Sequence, residues 1–157
     1  MSDVDAPMTD RLRLSEFLPY RLSVLSNAVS GGIAEAYAAD VGISMRQWRV
    51  MAILGERAGA TATDVARRAQ MDKVAVSRAV SSLVSLGLVE RKTSADDGRN
   101  AHLFLSSAGQ AVYDRVVPIA HAHEARLIAG LTAAERATLA ELLGKLAKSA
   151  SPDRPLW

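Results

Sequence analysis

Between Asp72 and Gly87, the side chains Val74, Ser77, Arg78 and Ser81 recur at a spacing that brings them to one side of a helix, because a helix advances about 100° per residue. These residue types suit one kind of chemistry. An arginine donates to base edges or to phosphate, small hydroxyls donate without holding the backbone away, and a valine can meet a thymine methyl. Lys73 at the head of this segment and Thr63 at the head of the preceding one add further donors. A helix with this face could lie in the major groove of a duplex. The same face also fits a solvated helix surface, and the helix alone does not separate the two readings.

The next segment separates them. Leu88, Val89 and Glu90 begin a strand, and Ala101 to Leu105 (AHLFL) read as its return strand. Between them stand Arg91, Lys92, Asp96, Asp97, Gly98 and Arg99, more charge than a turn needs. An arginine at such a tip, here Arg99, can enter the minor groove, with Asp97 orienting it and Lys92 on phosphate. An ordinary polar hairpin is the weaker reading after a helix of that kind.

Capping chemistry positions these groups. Thr61 and Asp64 form a capping pair at the start of one short helix. Asp72 caps the next, and Gly87 supplies the positive φ that closes it, so the helix spans about Lys73 to Leu86. Its inner side would be Val76, Ala79, Val80, Leu83 and Val84. Helix, helix and hairpin in that order make a winged helix-turn-helix.

The stretch from Leu83 to Gly109, LVSLGLVERKTSADDGRNAHLFLSSAG, resembles the MarR family of transcriptional regulators. It matches that family's helix end, first wing strand, Asp-x-Arg tip (Asp97, Gly98, Arg99) and small polar-x-x-Gly helix start (Ser106 to Gly109). Family members more often carry threonine at the position of Ser106 and a bulkier or basic residue at that of Gly98. A weaker likeness extends over roughly 14–147. The resemblance implies a mainly α fold of about six helices with a small β-hairpin wing, assembled as an intertwined two-fold dimer. It also implies a roughly palindromic operator in double-stranded DNA.

The other helices fit that expectation. Leu18 and Pro19 open a long helix. Ser44 and Gln47 cap another that runs through Arg57 and is apolar around most of its circumference, as a buried helix is. Ser107 and Gln110 offer a cap for a helix to about Gly130, which Pro118 should kink. Thr132 and Glu135 start the last helix, with Leu139, Leu142, Leu143 and Leu146 at helical spacing. Long amphipathic helices at both ends leave apolar surface that a second copy would cover. The chain divides accordingly into a loose segment 1–13, a dimerisation helix 14–43, the DNA-binding unit 44–105, dimerisation helices 106–149 and a tail 150–157.

The resemblance further implies a small-molecule effector, often an aromatic acid, held where terminal helices meet the DNA-reading unit. By position, Tyr20, Arg21, Trp48, Arg49 and Met51 are the candidates, with Arg21 or Arg49 for a carboxylate and Trp48 as a stacking wall. Core packing is the stronger reading for Trp48 and Met51. Arg21 within LPYRLSVLSN resembles regulators of aromatic-acid catabolism, including ones that answer to aromatic acyl-coenzyme A thioesters.

Composition narrows the alternatives. The chain has 157 residues, 49% of them hydrophobic, enough for one compact protomer. It contains no cysteine, which excludes disulfides, thiolate metal sites and thiol redox sensing. Neither an export leader nor a membrane-spanning run is evident, so the cytoplasm is the expected location and no membrane contact is expected. The net charge is only +2, but from Thr61 to Asn100 seven basic residues face five acidic ones. Positive charge thus gathers where the DNA face is expected.

Enzyme chemistry lacks its parts. His121 and His123 lie two apart, about 200° around a helix, and cannot share a metal ion. His121 and Glu124 could meet, as a structural pair. No phosphate loop, nucleophile elbow, metal cluster or cofactor motif appears elsewhere. The stronger rival is a winged helix used for protein contacts, which would not bind duplex DNA.

Overall fold

The computed structural model describes residues 12–93 and 101–157. Helix α1 (Leu18–Val41) leads to α2 (Met45–Glu56), a two-residue strand β1 (Ala60–Thr61), α3 (Ala62–Ala69) and α4 (Lys73–Ser85). Strands β2 (Val89–Thr93) and β3 (Ala101–Leu105) follow, then α5 (Ser107–Leu127) and α6 (Ala133–Ala150). Six helices around a three-stranded antiparallel sheet, in the order β1-β3-β2, make a winged helix-turn-helix with long flanking helices.

Local chemistry sets most boundaries. Ser44 and Gln47 form a reciprocal capping box on α2, as Thr61 and Asp64 do on α3 and Thr132 and Glu135 on α6. Asp72 accepts from the Ala75 amide at 2.8 Å to cap α4. Gln70 ends α3 in the left-handed region, φ 51°, and its side-chain amide donates to the Arg67 carbonyl at 2.7 Å. That turn aims α4 away from α3.

One expectation is extended and two are corrected. The hairpin is part of a three-stranded sheet, because Ala60 and Thr61 pair with Leu103 and His102. The cap of α5 is Ser106, not Ser107 with Gln110. Ser106 Oγ accepts from the Gly109 amide at 3.0 Å and donates to the Gly87 carbonyl at 2.6 Å, a double role Ser107 does not fill. Val84, placed on the inner side of α4, stands at its edge, 37% exposed. Helix α5 continues unbroken through Pro118 and ends at Leu127.

The small-polar-x-x-glycine pattern now has a cause. The Ser106 amide donates to the Leu88 carbonyl at 3.1 Å, so the first turn of α5 lies on the link between α4 and β2. A Cβ at Gly109 would overlap that same Leu88 carbonyl. Only glycine permits the approach.

The core sits within the α2–β3 unit. Val50, Met51, Leu54, Val65, Val76, Val80, Leu83 and Leu103 are each at most 2% exposed. Tyr37 from α1 and Val116 from α5 close it from the flanking side. Arg115 ties α5 to the end of α1 through Asp40 at 2.9 Å. Helix α6, by contrast, buries none of its residues.

Candidate nucleic-acid interface

Helix α4 presents two faces with opposite fates. Val76, Ala79, Val80 and Leu83 are buried against α2 and α3. Val74, Ser77, Arg78 and Ser81 are exposed, Val74 at 60%, although it is a large apolar side chain at the head of a helix. The predicted groove-reading set thus stands together on one outward face. Lys73 and Thr63 are exposed at the N-terminal ends of α4 and α3, on the flank of that face.

The wing strand joins this surface. Arg91 Nη2 donates to Ser81 Oγ at 3.2 Å, linking β2 to α4. Arg91 also lines a hollow of about 240 Å³ with Thr63 and Ser77. Lys92 sits over the Phe104 ring at 5.0 Å and pairs with Glu90 at 3.4 Å, its side chain still 62% exposed. Asp97 and Arg99, the predicted wing-tip pair, lie outside the described residues.

Two basic residues on this surface escape a reading of α4 and the wing tip alone. Arg46, in the first turn of α2, borders a groove of about 450 Å³ together with Val74 and Arg78. Arg91 is the other. The α2 contact is held by Gln47, whose amide donates to Ser82 Oγ at 2.9 Å. The signal for Arg46 is its place beside the Ser44 cap, since the same box that starts α2 aims its first turn at α4.

At the opposite side of the unit, α1, α2 and α5 meet around Trp48. Its ring lies 5.9 Å from that of Tyr37 and 5.7 Å from that of Tyr113. Gly55 makes room, because a Cβ there would enter the Tyr113 ring. The Tyr37 hydroxyl is buried and finds no hydrogen-bond partner among the described residues. Burial raises its pKa, opposed by the nearby Arg49 charge.

Of the residues expected at an effector site, Trp48 and Arg49 are half-buried at this junction, and Arg49 Nη2 donates to Ser30 Oγ at 3.4 Å. Met51 is fully buried in the core. Tyr20 and Arg21 are exposed near the start of α1. Ser30 is nine residues beyond Arg21, about 14 Å along the helix at 1.5 Å per residue. One protomer therefore does not bring Tyr20 and Arg21 to Arg49. Tyr37 and Tyr113, which it does bring to Trp48, come from remote helices that no local motif connects.

The histidines divide as their spacing requires. His121 pairs with Glu124 at 3.6 Å on the exposed side of α5. His123 packs inward against Gly32, where a Cβ would strike its ring. Among the described residues no group of metal-ligating side chains converges, and no helix is long and apolar enough to cross a membrane.

A MarR family model matches residues 41–100, the span from the end of α1 to the wing. The HTH-type transcriptional repressor Rv2887 of Mycobacterium tuberculosis is 27% identical over 131 residues, 83% of this chain and 91% of the relative. The crystal structure of a MarR/EmrR family regulator from Acinetobacter sp. ADP1 superposes with a TM-score of 0.83 at 25% identity, covering 90% of this chain and 99% of the other. CouR from Rhodococcus jostii RHA1, solved bound to p-coumaroyl-CoA, shares the fold with a TM-score of 0.76 at 22% identity, over 92% of this chain and 99% of that one. The winged helix, its outward α4 face and the glycine-dependent α5 junction accompany these likenesses, and residues 41–100 are similar to the MarR family of transcriptional regulators.

Proposed function

We propose that the protein represses transcription as a homodimer on a roughly palindromic operator and releases it when a small aromatic or anionic effector binds. The observation that carries this reading is the α4 face: Val74, Ser77, Arg78 and Ser81 stand exposed together while the opposite face is core. In a major groove, Arg78 and the serines read base edges and Val74 meets thymine methyls. Thr63, Lys73 and Lys92 contact phosphate, and Arg99, oriented by Asp97, enters the minor groove.

The uncovered terminal helices support the dimer. Leu18, Leu22, Val24 and Leu25 of α1 and Leu139, Leu142, Leu143 and Leu146 of α6 are all more than a third exposed. A second copy covering them sets the two recognition helices about one DNA turn apart, ~34 Å. The effector site is the Trp48 junction. The unpartnered Tyr37 hydroxyl and the Arg49 guanidinium supply polar anchors for an aromatic acid or its coenzyme A thioester. The p-coumaroyl-CoA held by the Rhodococcus neighbour favours that ligand class. Tyr20 and Arg21 join the site only across the dimer, and Met51 forms its floor. An effector that prefers the non-binding arrangement by a few kcal/mol empties the operator by population shift.

A gel-shift titration against the intergenic DNA beside its own gene, with and without aromatic acids and their thioesters, tests this reading. Saturable binding released by one of them is expected. Arg78→Ala should reorder affinities among operator variants. Absence of any specific shift would move the assignment to a winged helix for protein contacts.

A further inference from the structure

The segment after α6 returns to the DNA-reading unit. Ser151 Oγ donates to the Arg154 carbonyl at 2.8 Å, closing a turn that holds Pro152 and is followed by Pro155. Beyond it, Leu156 is half-buried and Arg154 is exposed. Arg154 walls a groove of about 510 Å³ with Thr63, Arg67, Gln70, Asp72 and Lys73. It shares Arg67 and Gln70 with a second groove, of about 550 Å³, bordered by Arg57, Arg68 and Glu56.

Basic side chains outnumber acidic ones in these grooves, with Glu56 and Asp72 as the carboxylates among the lining residues. Arg67 is neutralised by Asp64, and Arg68 lies 3.9 Å from Glu56. Arg57, Lys73 and the Arg154 side chain make no ion pair among the described residues. A polyanion is the partner that this surplus fits. Its continuity with Thr63 and Lys73, at the heads of α3 and α4, selects which polyanion.

From this juxtaposition we propose that the C-terminal segment is part of the DNA-binding surface, with Arg154 holding a backbone phosphate beside those of Thr63 and Lys73. The proposal rests on the operator-binding reading above and extends it past the helix-turn-helix. Pro152 within the Ser151–Arg154 turn and Pro155 just after it limit the freedom lost when Arg154 engages. Because the segment continues α6, the contact also ties the spacing of the terminal helices to the grip on DNA.

Phosphate contact is independent of sequence, so a labelled duplex of mixed sequence serves as the probe beside the intergenic fragment. Fluorescence anisotropy at several salt concentrations gives the slope of log K against log salt. Arg154→Ala should make that slope shallower by ~0.9 for each arginine removed, about 1.8 for a dimer. Arg154→Lys, which keeps the charge, should hold the wild-type slope. Thermal melts of both variants should match wild type, since the side chain is exposed. A wild-type slope in Arg154→Ala overturns the tail contact while operator binding stands. A wild-type protein that binds neither duplex overturns both readings, and that outcome is visible before any variant is made.

Discussion

The winged-helix unit and the terminal helices of this protein are built from similar residues but reach different degrees of completion. From α2 to β3, Leu54, Val65, Val80, Leu83 and Leu103 are buried within one protomer, and α2 and α3 are both closed by reciprocal capping boxes. In α6, Leu139, Leu142, Leu143 and Leu146 are as apolar, yet between 38% and 51% exposed. Hydrophobic burial is worth roughly 25 cal/mol per Å², so a leucine left wet contributes little to its own protomer. The winged-helix core is completed within one protomer, with Tyr37 of α1 and Val116 of α5 closing it. Helix α6, with no buried residue, adds little to that core.

Truncation should separate the two regions. Leu83→Ala removes a fully buried side chain and is expected to cost about 2–5 kcal/mol of unfolding free energy, seen as a lower urea midpoint. Leu142→Glu, half exposed, should leave the folded protomer largely intact while halving the mass measured by light scattering. If Leu142→Glu unfolds the chain as Leu83→Ala does, the contrast between regions fails.

The seam between the regions is the next place to probe. Gly109 starts α5 against the Leu88 carbonyl, and a methyl group there forces the two apart. Gly109→Ala should cost about 1–3 kcal/mol, the range for overpacking a tight site. Gly31, in α1, has open space around it, and Gly31→Ala should be neutral or stabilising by up to about 1 kcal/mol, as glycine is in a helix interior. Paired melts of the two variants would sharpen the distinction between a glycine required by contact and one that is merely tolerated.

Legibility followed the range of the forces. Helix starts at Ser44, Thr61, Asp72 and Thr132 are local hydrogen-bonding patterns, and the structure forms each of them. The strand β1 has no period to read, since two residues become a strand only by pairing with Leu103 and His102. Ser106 and Ser107 are alike as caps until the Gly87 carbonyl, nineteen residues away, chooses between them. The same holds at the candidate sites. The α4 face could be read from one helix, whereas Tyr37, Trp48 and Tyr113 meet only because three helices cross. Arg154 reaches α3 by way of α6, a path no local pattern encodes.

The smallest expected effect lies in the caps of the winged-helix unit. Asp64 accepts from the Thr61 hydroxyl at 2.7 Å and from the Thr61 amide at 3.2 Å, and Arg67 stands beside it. The two Thr61 hydrogen bonds, aided by the Arg67 charge and opposed by partial desolvation, hold its carboxyl below the ordinary value. A folded pKa below the unfolded one contributes stability above the unfolded pKa, ~3.9, and loses it as pH falls through the folded value. Asp64→Asn keeps an acceptor but removes the charge from the positive end of α3, which at an exposed site is worth about 0.3–1 kcal/mol. Urea midpoints of wild type and variant should differ at neutral pH and converge as pH falls below about 4. A gap that stays constant with pH would mean that the cap works through hydrogen-bond geometry alone. The carboxylate charge of Asp64 would then add nothing to the stability of this unit beyond its place as an acceptor.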